Sequence, residues 1–277
     1  MRKVDDEWGK DWWFKVWGPE KLVEDGIGSR ENWVLRTNEK WHGFGQIAPG
    51  FNMLDPIKAT VITPGLDVSG KFAKTGIPAS IVTKYLAEHG VIVEKTGLYS
   101  FFIMFTIGIT KGRWNTLVAA LQQFKDDYDK NQPLWRVLPE FVKANPRYER
   151  TGLRELSDAI HGMYRQYDVG RLTTEMYLSE MEPALKPSDA FARLAHREID
   201  RVEIDNLEGR VTAVLLTPYP PGIPLLIPGE RFNRTIVLYL QFARAFNEKF
   251  PGFETDIHGL VEEKTDKGPR YHVDCVR

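Results

Sequence analysis

The sequence predicts an α/β chain made of α+β layers: a small mixed sheet with packed helices, followed by a second α+β portion. Three observations carry this reading. Residues 58–130 alternate short β-branched runs with apolar positions at helical spacing. Asn131-Gln132-Pro133 then breaks the pattern with three turn-forming residues. Beyond it, a mostly helical stretch gives way to short strands punctuated by proline and glycine. The boundary divides the chain into residues 1–130 and 131–277.

The elements follow in order. The first 55 residues show weak periodicity and many turn residues. Lys58-Ala59-Thr60-Val61-Ile62-Thr63 reads as a strand closed by Pro64-Gly65. Gly76-Ile77-Pro78 opens a helix, with proline near the first helical position, where its absent N–H costs nothing. Ile81, Val82, Tyr85 and Leu86 recur at helical spacing, and His89-Gly90 closes the helix. Strands are expected at residues 91–95 and 99–106, then a helix over residues 113–128 with Trp114, Leu117, Leu121 and Phe124 on one face.

Four helices are expected near residues 134–144, 151–167, 172–182 and 187–197. Strands at residues 201–204 and 210–217 read as a pair joined around Glu208-Gly209. Pro218-Tyr219-Pro220-Pro221-Gly222-Ile223-Pro224 is a rigid, donor-poor turn. A strand at residues 225–227, a helix from Asn233 to about Phe250, and strands at residues 256–262 and 270–276 complete the reading.

Bulk properties exclude several classes. Lys plus Arg number 37 and Asp plus Glu 38, for a net charge of -1. A balanced chain lacks the basic field that nucleic acid needs, and offers nothing to an anionic membrane surface. The longest apolar run, residues 98–109, is interrupted by Tyr99, Ser100 and Thr106 and is too short to span a bilayer. The single cysteine, Cys275, makes no internal disulfide and rules out a multi-cysteine metal site. It suits a reducing, cytoplasmic setting and reads as a buried structural thiol.

Six of the eight tryptophans fall at Trp8, Trp12, Trp13, Trp17, Trp33 and Trp41. So many rings in a glycine-broken segment predict a face that packs against something outside this chain.

Residues with chemistry are sparse. The six histidines form no H-E-x-x-H pair, and no nucleophile elbow, P-loop or G-x-G-x-x-G loop occurs, so no metal or nucleotide cofactor site is expected. Glu254, Asp256 and His258 share a strand face, as either a metal or acid–base cluster or a solvated surface. Val93-Glu94-Lys95-Thr96-Gly97 places a charged pair between apolar strands. The plain reading is that Glu94 and Lys95 end a strand and face water.

Seven stretches carry a resemblance. They are Trp41-His42-Gly43-Phe44, Leu54-Asp55-Pro56-Ile57-Lys58, Gly76-Ile77-Pro78-Ala79-Ser80-Ile81-Val82 and Val93-Glu94-Lys95-Thr96-Gly97. The others are the Pro218–Pro224 turn, Pro228-Gly229-Glu230, and Pro251-Gly252-Phe253-Glu254-Thr255-Asp256-Ile257-His258-Gly259. In this order the chain resembles the C-terminal part of bacterial inducible ornithine, lysine and arginine decarboxylases. The resemblance implies the aspartate-aminotransferase fold, and pyridoxal 5′-phosphate held by a lysine as a Schiff base. It also implies removal of CO2 from a basic amino acid, roles in polyamine supply and acid resistance, and dimers that often assemble into decamers. Residues 1–130 would be the small aminotransferase-like subdomain and residues 131–277 the family's C-terminal domain.

The family's cofactor lysine stands in a Ser-x-His-Lys motif in its large domain, and no histidine here is followed by lysine. No catalytic or cofactor-binding residue is therefore expected in this chain. Its partner would be the N-terminal large domain or another subunit, and Met1 would be an internal methionine or a start made by truncation. By resemblance Glu94 meets the cationic end of the basic substrate, with Thr96 a polar neighbour. Val-Glu-Lys-Thr-Gly looks closer to lysine and ornithine members, whereas Thr110-Lys111-Gly112-Arg113-Trp114 and the closing Tyr271–Val276 stretch look closer to arginine members. The alternative is a non-catalytic assembly or regulatory module descended from such an enzyme.

Overall fold

A computed structural model of the chain describes residues 13–19, 30–48, 50, 52–67, 69–219, 222–265 and 268–277. Two compact units divide the chain at His161 and Gly162.

In the first unit, strands β1 (Lys15–Val16), β2 (Lys58–Ile62), β3 (Lys95–Thr96) and β4 (Ser100–Met104) form one sheet in the order β1-β2-β4-β3. Every pairing among these strands is antiparallel, so the mixed sheet expected from the sequence resolves into an antiparallel one within the same α+β class. The geometry explains why. Helix α1 (Ala79–Glu88) lies between β2 and β3 in the chain, and the β3–β4 hairpin then returns β4 beside β2 in the opposite direction.

Alternation sets the buried face: Val61 on β2 and Phe101 and Ile103 on β4 are buried. Helices α1 and α2 (Lys111–Asp129) complete this core with Ile81, Val82, Tyr85, Leu86, Leu117, Leu121 and Phe124. Burying several such side chains, at about 1.5–3 kcal/mol each, is what holds the helices to the sheet.

The strand expected at residues 91–95 is shorter than its β-branched residues suggest. The Val91 N–H donates to the Leu86 carbonyl at 2.9 Å, closing α1, and Ile92 is exposed. Pairing therefore starts only with the Glu94 N–H, which donates to the Phe102 carbonyl at 2.8 Å.

Short helices α3 (Leu134–Val137) and α4 (Pro139–Ala144) follow, then α5 (Leu153–Gln166). Asn131, within the predicted boundary, sits at φ 48° and folds its carboxamide over α5. Its Oδ1 accepts from the N–H groups of Arg154 at 2.9 Å and Glu155 at 3.3 Å. Those are helix-start donors with no partner inside the helix.

Trp13, Trp17, Trp33 and Trp41 are half-buried. Trp13 sets its edge against Tyr128, and Trp17 against Trp41, so the chain itself houses part of the tryptophan-rich segment. Trp8 and Trp12 lie outside the described residues.

The second unit holds helices α6 (Val169–Leu178), α7 (Pro187–Ala195) and α8 (Arg234–Lys249). Its strands are β5 (Glu182–Pro183), β6 (Ile199–Glu203), β7 (Thr217–Tyr219), β8 (Glu230–Arg231), β9 (Asp256–His258), β10 (Val261–Thr265) and β11 (Gly268–Val276). They form small antiparallel sheets, the largest in the order β10-β11-β6. Helix α8 starts at Asn233, whose side chain accepts from the Ile236 N–H at 3.0 Å. It buries Ile236, Val237, Leu240, Ala243 and Phe246.

The expected pairing of residues 201–204 with 210–217 is absent. After β6 the chain tightens into a 3-10 turn at Ile204–Asn206 that buries Ile204, and β6 pairs with β11 instead. The Thr212 hydroxyl bonds both backbone groups of Val214, so residues 211–216 make isolated bridges rather than a strand. The strand expected at residues 225–227 is likewise a single bridge from Leu226 to Leu216. The one expected at residues 256–262 divides into β9 and β10 at Gly259, whose φ of 95° favours glycine. Pro220 and Pro221 of the proline-rich turn lie outside the described residues.

Candidate functional site

Glu94 immediately precedes β3, the edge strand of the first unit's sheet, which carries Lys95 and Thr96, and three backbone ties set the place of this segment. Lys95 and Thr96 pair with Phe102 and Phe101 of β4. The Gly97 N–H donates to the Ser100 carbonyl at 2.7 Å, tightening the turn between the strands. The Leu98 carbonyl accepts from the Ala79 N–H at 2.9 Å, fastening that turn to the first residue of α1.

The side chains divide into an exposed acid and a half-buried hydroxyl pair. Glu94 is exposed, and its carboxylate has no protein partner among the described residues. Lys95 is exposed too, so both charges face water at the strand end. The Thr96 hydroxyl donates to Thr83 Oγ1 at 3.2 Å, and the Thr83 hydroxyl donates to the Ser80 carbonyl at 3.2 Å. One proton per hydroxyl gives this chain of bonds a single direction, from β3 into α1. The Ser80 hydroxyl oxygen, one turn before Thr83, is buried without a protein partner among the described residues.

An exposed carboxylate held by a tethered strand can accept charge-assisted hydrogen bonds from a cation. In open water such a pair contributes little, about 0–1 kcal/mol. It strengthens when a surrounding site excludes solvent.

Glu254, Asp256 and His258 do not converge. His258 Nε2 is 3.3 Å from Asp256 Oδ2, and both side chains are exposed. The Glu254 carboxylate turns back to accept from the Gly252 N–H at 2.6 Å. No group of three metal-ligating side chains comes together among the described residues. Cys275 is fully buried, and burial pushes its thiol up to about 12, which suits the structural reading.

Two buried polar pairs escaped the sequence reading. The Tyr85 hydroxyl donates to Asp127 Oδ2 at 2.8 Å inside the α1–α2 core, and burial followed by this bond drives its pKa up. Tyr99 and His161 bond beneath the loop that leads into α1. Each pair joins residues far apart in the chain, so no local pattern marks it.

The chain is similar to proteins of one family. Residues 1–113 match the model described as Orn/Lys/Arg decarboxylase, major domain, and residues 170–277 match Orn/Lys/Arg decarboxylase, C-terminal domain. Lysine decarboxylase LdcA of Pseudomonas aeruginosa is 50% identical over 272 residues, which cover 96% of this chain and 36% of that protein. The biodegradative arginine decarboxylase of Escherichia coli K12 is 34% identical over 285 residues, covering 96% of this chain and 37% of that protein. The solved structure of lysine decarboxylase A from Pseudomonas aeruginosa superposes with a TM-score of 0.93 at 48% identity, over 100% of this chain and 38% of that one. The chain thus spans about a third of the length of the curated relatives it matches.

Proposed function

Because the chain belongs to the Orn/Lys/Arg decarboxylases and matches their C-terminal part, we propose that it is the substrate-gripping portion of a basic amino acid decarboxylase. The reaction is release of CO2 from lysine, arginine or ornithine to leave the corresponding amine. The match to a lysine decarboxylase across 96% of this chain carries the reading.

The cofactor implied by the family is pyridoxal 5′-phosphate, which serves as an electron sink when bound. The residues here do not fit its anchor. No histidine is followed by lysine anywhere in the chain, and the candidate site presents a carboxylate and hydroxyls instead. We assign the cofactor to the family's large domain, and no bond-breaking step to this chain.

What the chain supplies is a grip on the substrate's far end. The Glu94 carboxylate accepts hydrogen bonds from the ammonium or guanidinium, and Thr96 stands two residues further on, in the edge strand. Such a contact is distant from the bond that breaks and holds ground and transition states alike, so it sets KM more than kcat. The natural partners are the N-terminal large domain and further copies of the full-length protein, as a dimer or larger ring. The free, buried Cys275 supports a reducing cytoplasmic setting. No helix among the described residues is long and apolar enough to cross a membrane.

The test has two arms. The 277-residue chain, supplied with cofactor and each basic amino acid, is expected to release no CO2 above a protein-free cofactor control. Joined to the N-terminal portion of the Pseudomonas aeruginosa lysine decarboxylase, it is expected to restore turnover of a basic amino acid. Turnover by the chain alone would overturn the division of labour; a folded, cofactor-loaded hybrid without turnover would favour the non-catalytic module.

A further inference from the structure

Strand β3 has only two ladder pairs, Lys95 with Phe102 and Thr96 with Phe101, and lies at the free edge of its sheet. A strand that short does not hold an exposed side chain in one direction by its backbone alone. Glu94 stands immediately before this strand, its N–H donating to the Phe102 carbonyl at 2.8 Å, so the direction of its carboxylate depends on how firmly Lys95 and Thr96 are held. Thr96 is the residue of this strand with a side-chain tether. Its hydroxyl donates to Thr83 Oγ1 on α1 at 3.2 Å, and Thr83 in turn donates to the Ser80 carbonyl at 3.2 Å. Helix α1 is anchored in the core through Ile81, Val82, Tyr85 and Leu86, all buried.

We propose that Thr83 is a positioning residue for basic-substrate recognition: its hydroxyl ties the edge strand to α1 and thereby fixes the direction of the Glu94 carboxylate. This rests on the reading of Glu94 as the group that meets the substrate's cation. Thr83 touches no substrate and acts through Thr96. Removing its hydroxyl leaves the half-buried Thr96 hydroxyl without its acceptor. The two-pair strand then loosens and Glu94 samples several directions, weakening the grip without altering the chemistry at the other end of the substrate.

The experiment uses the full chain joined to the N-terminal portion of the Pseudomonas aeruginosa lysine decarboxylase, with kinetics on lysine, arginine and ornithine. Three variants are compared: Glu94→Gln, Thr83→Val and Thr83→Ser. Glu94→Gln checks the underlying reading; an unchanged KM there sinks the Glu94 assignment and the proposal with it. With Glu94→Gln raising KM, Thr83→Val is expected to raise KM about tenfold with kcat within about twofold, and Thr83→Ser to restore it. A Thr83→Val enzyme with unchanged KM overturns the positioning role while leaving Glu94 in place. So does a loss that falls on kcat, or one that serine does not rescue. Amide exchange on the 277-residue chain supplies a readout without activity: Thr83→Val is expected to speed exchange at residues 94–97 and to leave α1 protected. Exchange faster throughout α1 would mark a folding defect and count against the proposal.

Discussion

The Tyr99 hydroxyl and Nδ1 of His161 share a buried hydrogen bond, whose direction is set by the carbonyl on the other side of the imidazole. Nε2 is 3.0 Å from the Ala73 carbonyl, which only accepts, so Nε2 carries a proton toward it and Nδ1 accepts from the tyrosine hydroxyl. Both side chains are buried. His161→Leu removes the bonds to both the Tyr99 hydroxyl and the Ala73 carbonyl and is expected to cost about 2–4 kcal/mol of unfolding free energy. Tyr99→Phe should cost about 1–2 kcal/mol, and the double variant less than the sum. Urea melts of all four proteins complete the cycle; strictly additive losses would show that the bond is not made in solution.

The same junction leaves no room at Gly76. A β-carbon there would fall against the His161 ring and 2.7 Å from the Gly65 Cα. Backbone atoms cannot swing aside as a flexible side-chain end can, so Gly76→Ala is expected to destabilise by about 2–4 kcal/mol or to prevent folding. Gly162→Ala, where the added carbon meets nothing within 4 Å, is the control and should fold normally. Equal melting temperatures for the two variants would refute the close approach.

Tyr85 and Asp127 join α1 to α2 from inside the core. Tyr85→Phe removes the hydroxyl from which the buried carboxylate accepts, at an expected cost of about 1–3 kcal/mol. Asp127→Asn keeps an acceptor oxygen and should cost less. The order of the two losses in thermal melts is the diagnostic; a harmless Tyr85→Phe would mean that water replaces the hydroxyl.

Cys275 gives the chain a stability signature in alkali. Its thiol is pushed up to about 12 by burial, from an ordinary value of 9.0. Between those values the unfolded chain loses the proton while the folded chain keeps it, so rising pH favours unfolding. This contribution is fully present below the lower value and is lost as pH climbs toward the higher. Cys275→Ala is expected to flatten the fall of the urea midpoint across that range relative to the parent. Parallel pH profiles would contradict this, as would rapid labelling of the thiol in the folded chain near neutral pH.

What could be read in advance was local. Helices α1 and α8 announce themselves through apolar spacing and through punctuation that the structure uses: Gly90 at φ 77°, and Asn233 bonded to the Ile236 N–H. What could not be read depends on partners distant in the chain. Nothing near β6 marks β11 as its neighbour, and nothing near Tyr99 points to His161. Local hydrogen bonds also override composition: Val91 is a good strand former, but its N–H is used in closing α1. Glu94 is intermediate. From the residues alone it is an acid at a strand end, and only the family resemblance gives that acid a substrate.

The sheet order β10-β11-β6 has a consequence for the chain as it is being made. Strand β6 emerges early and finds its neighbour only when Gly268–Val276 follows, after α8 and four more strands have been synthesised. At roughly 5–20 residues per second, that leaves the β6 backbone unpaired for several seconds on the ribosome. During this interval its free N–H and C=O groups can pair with a neighbouring nascent chain as readily as with their own. The second unit is thus most exposed to misassembly in the cell during synthesis, and slowed translation between β6 and β11 should lower its soluble yield more than any single surface substitution.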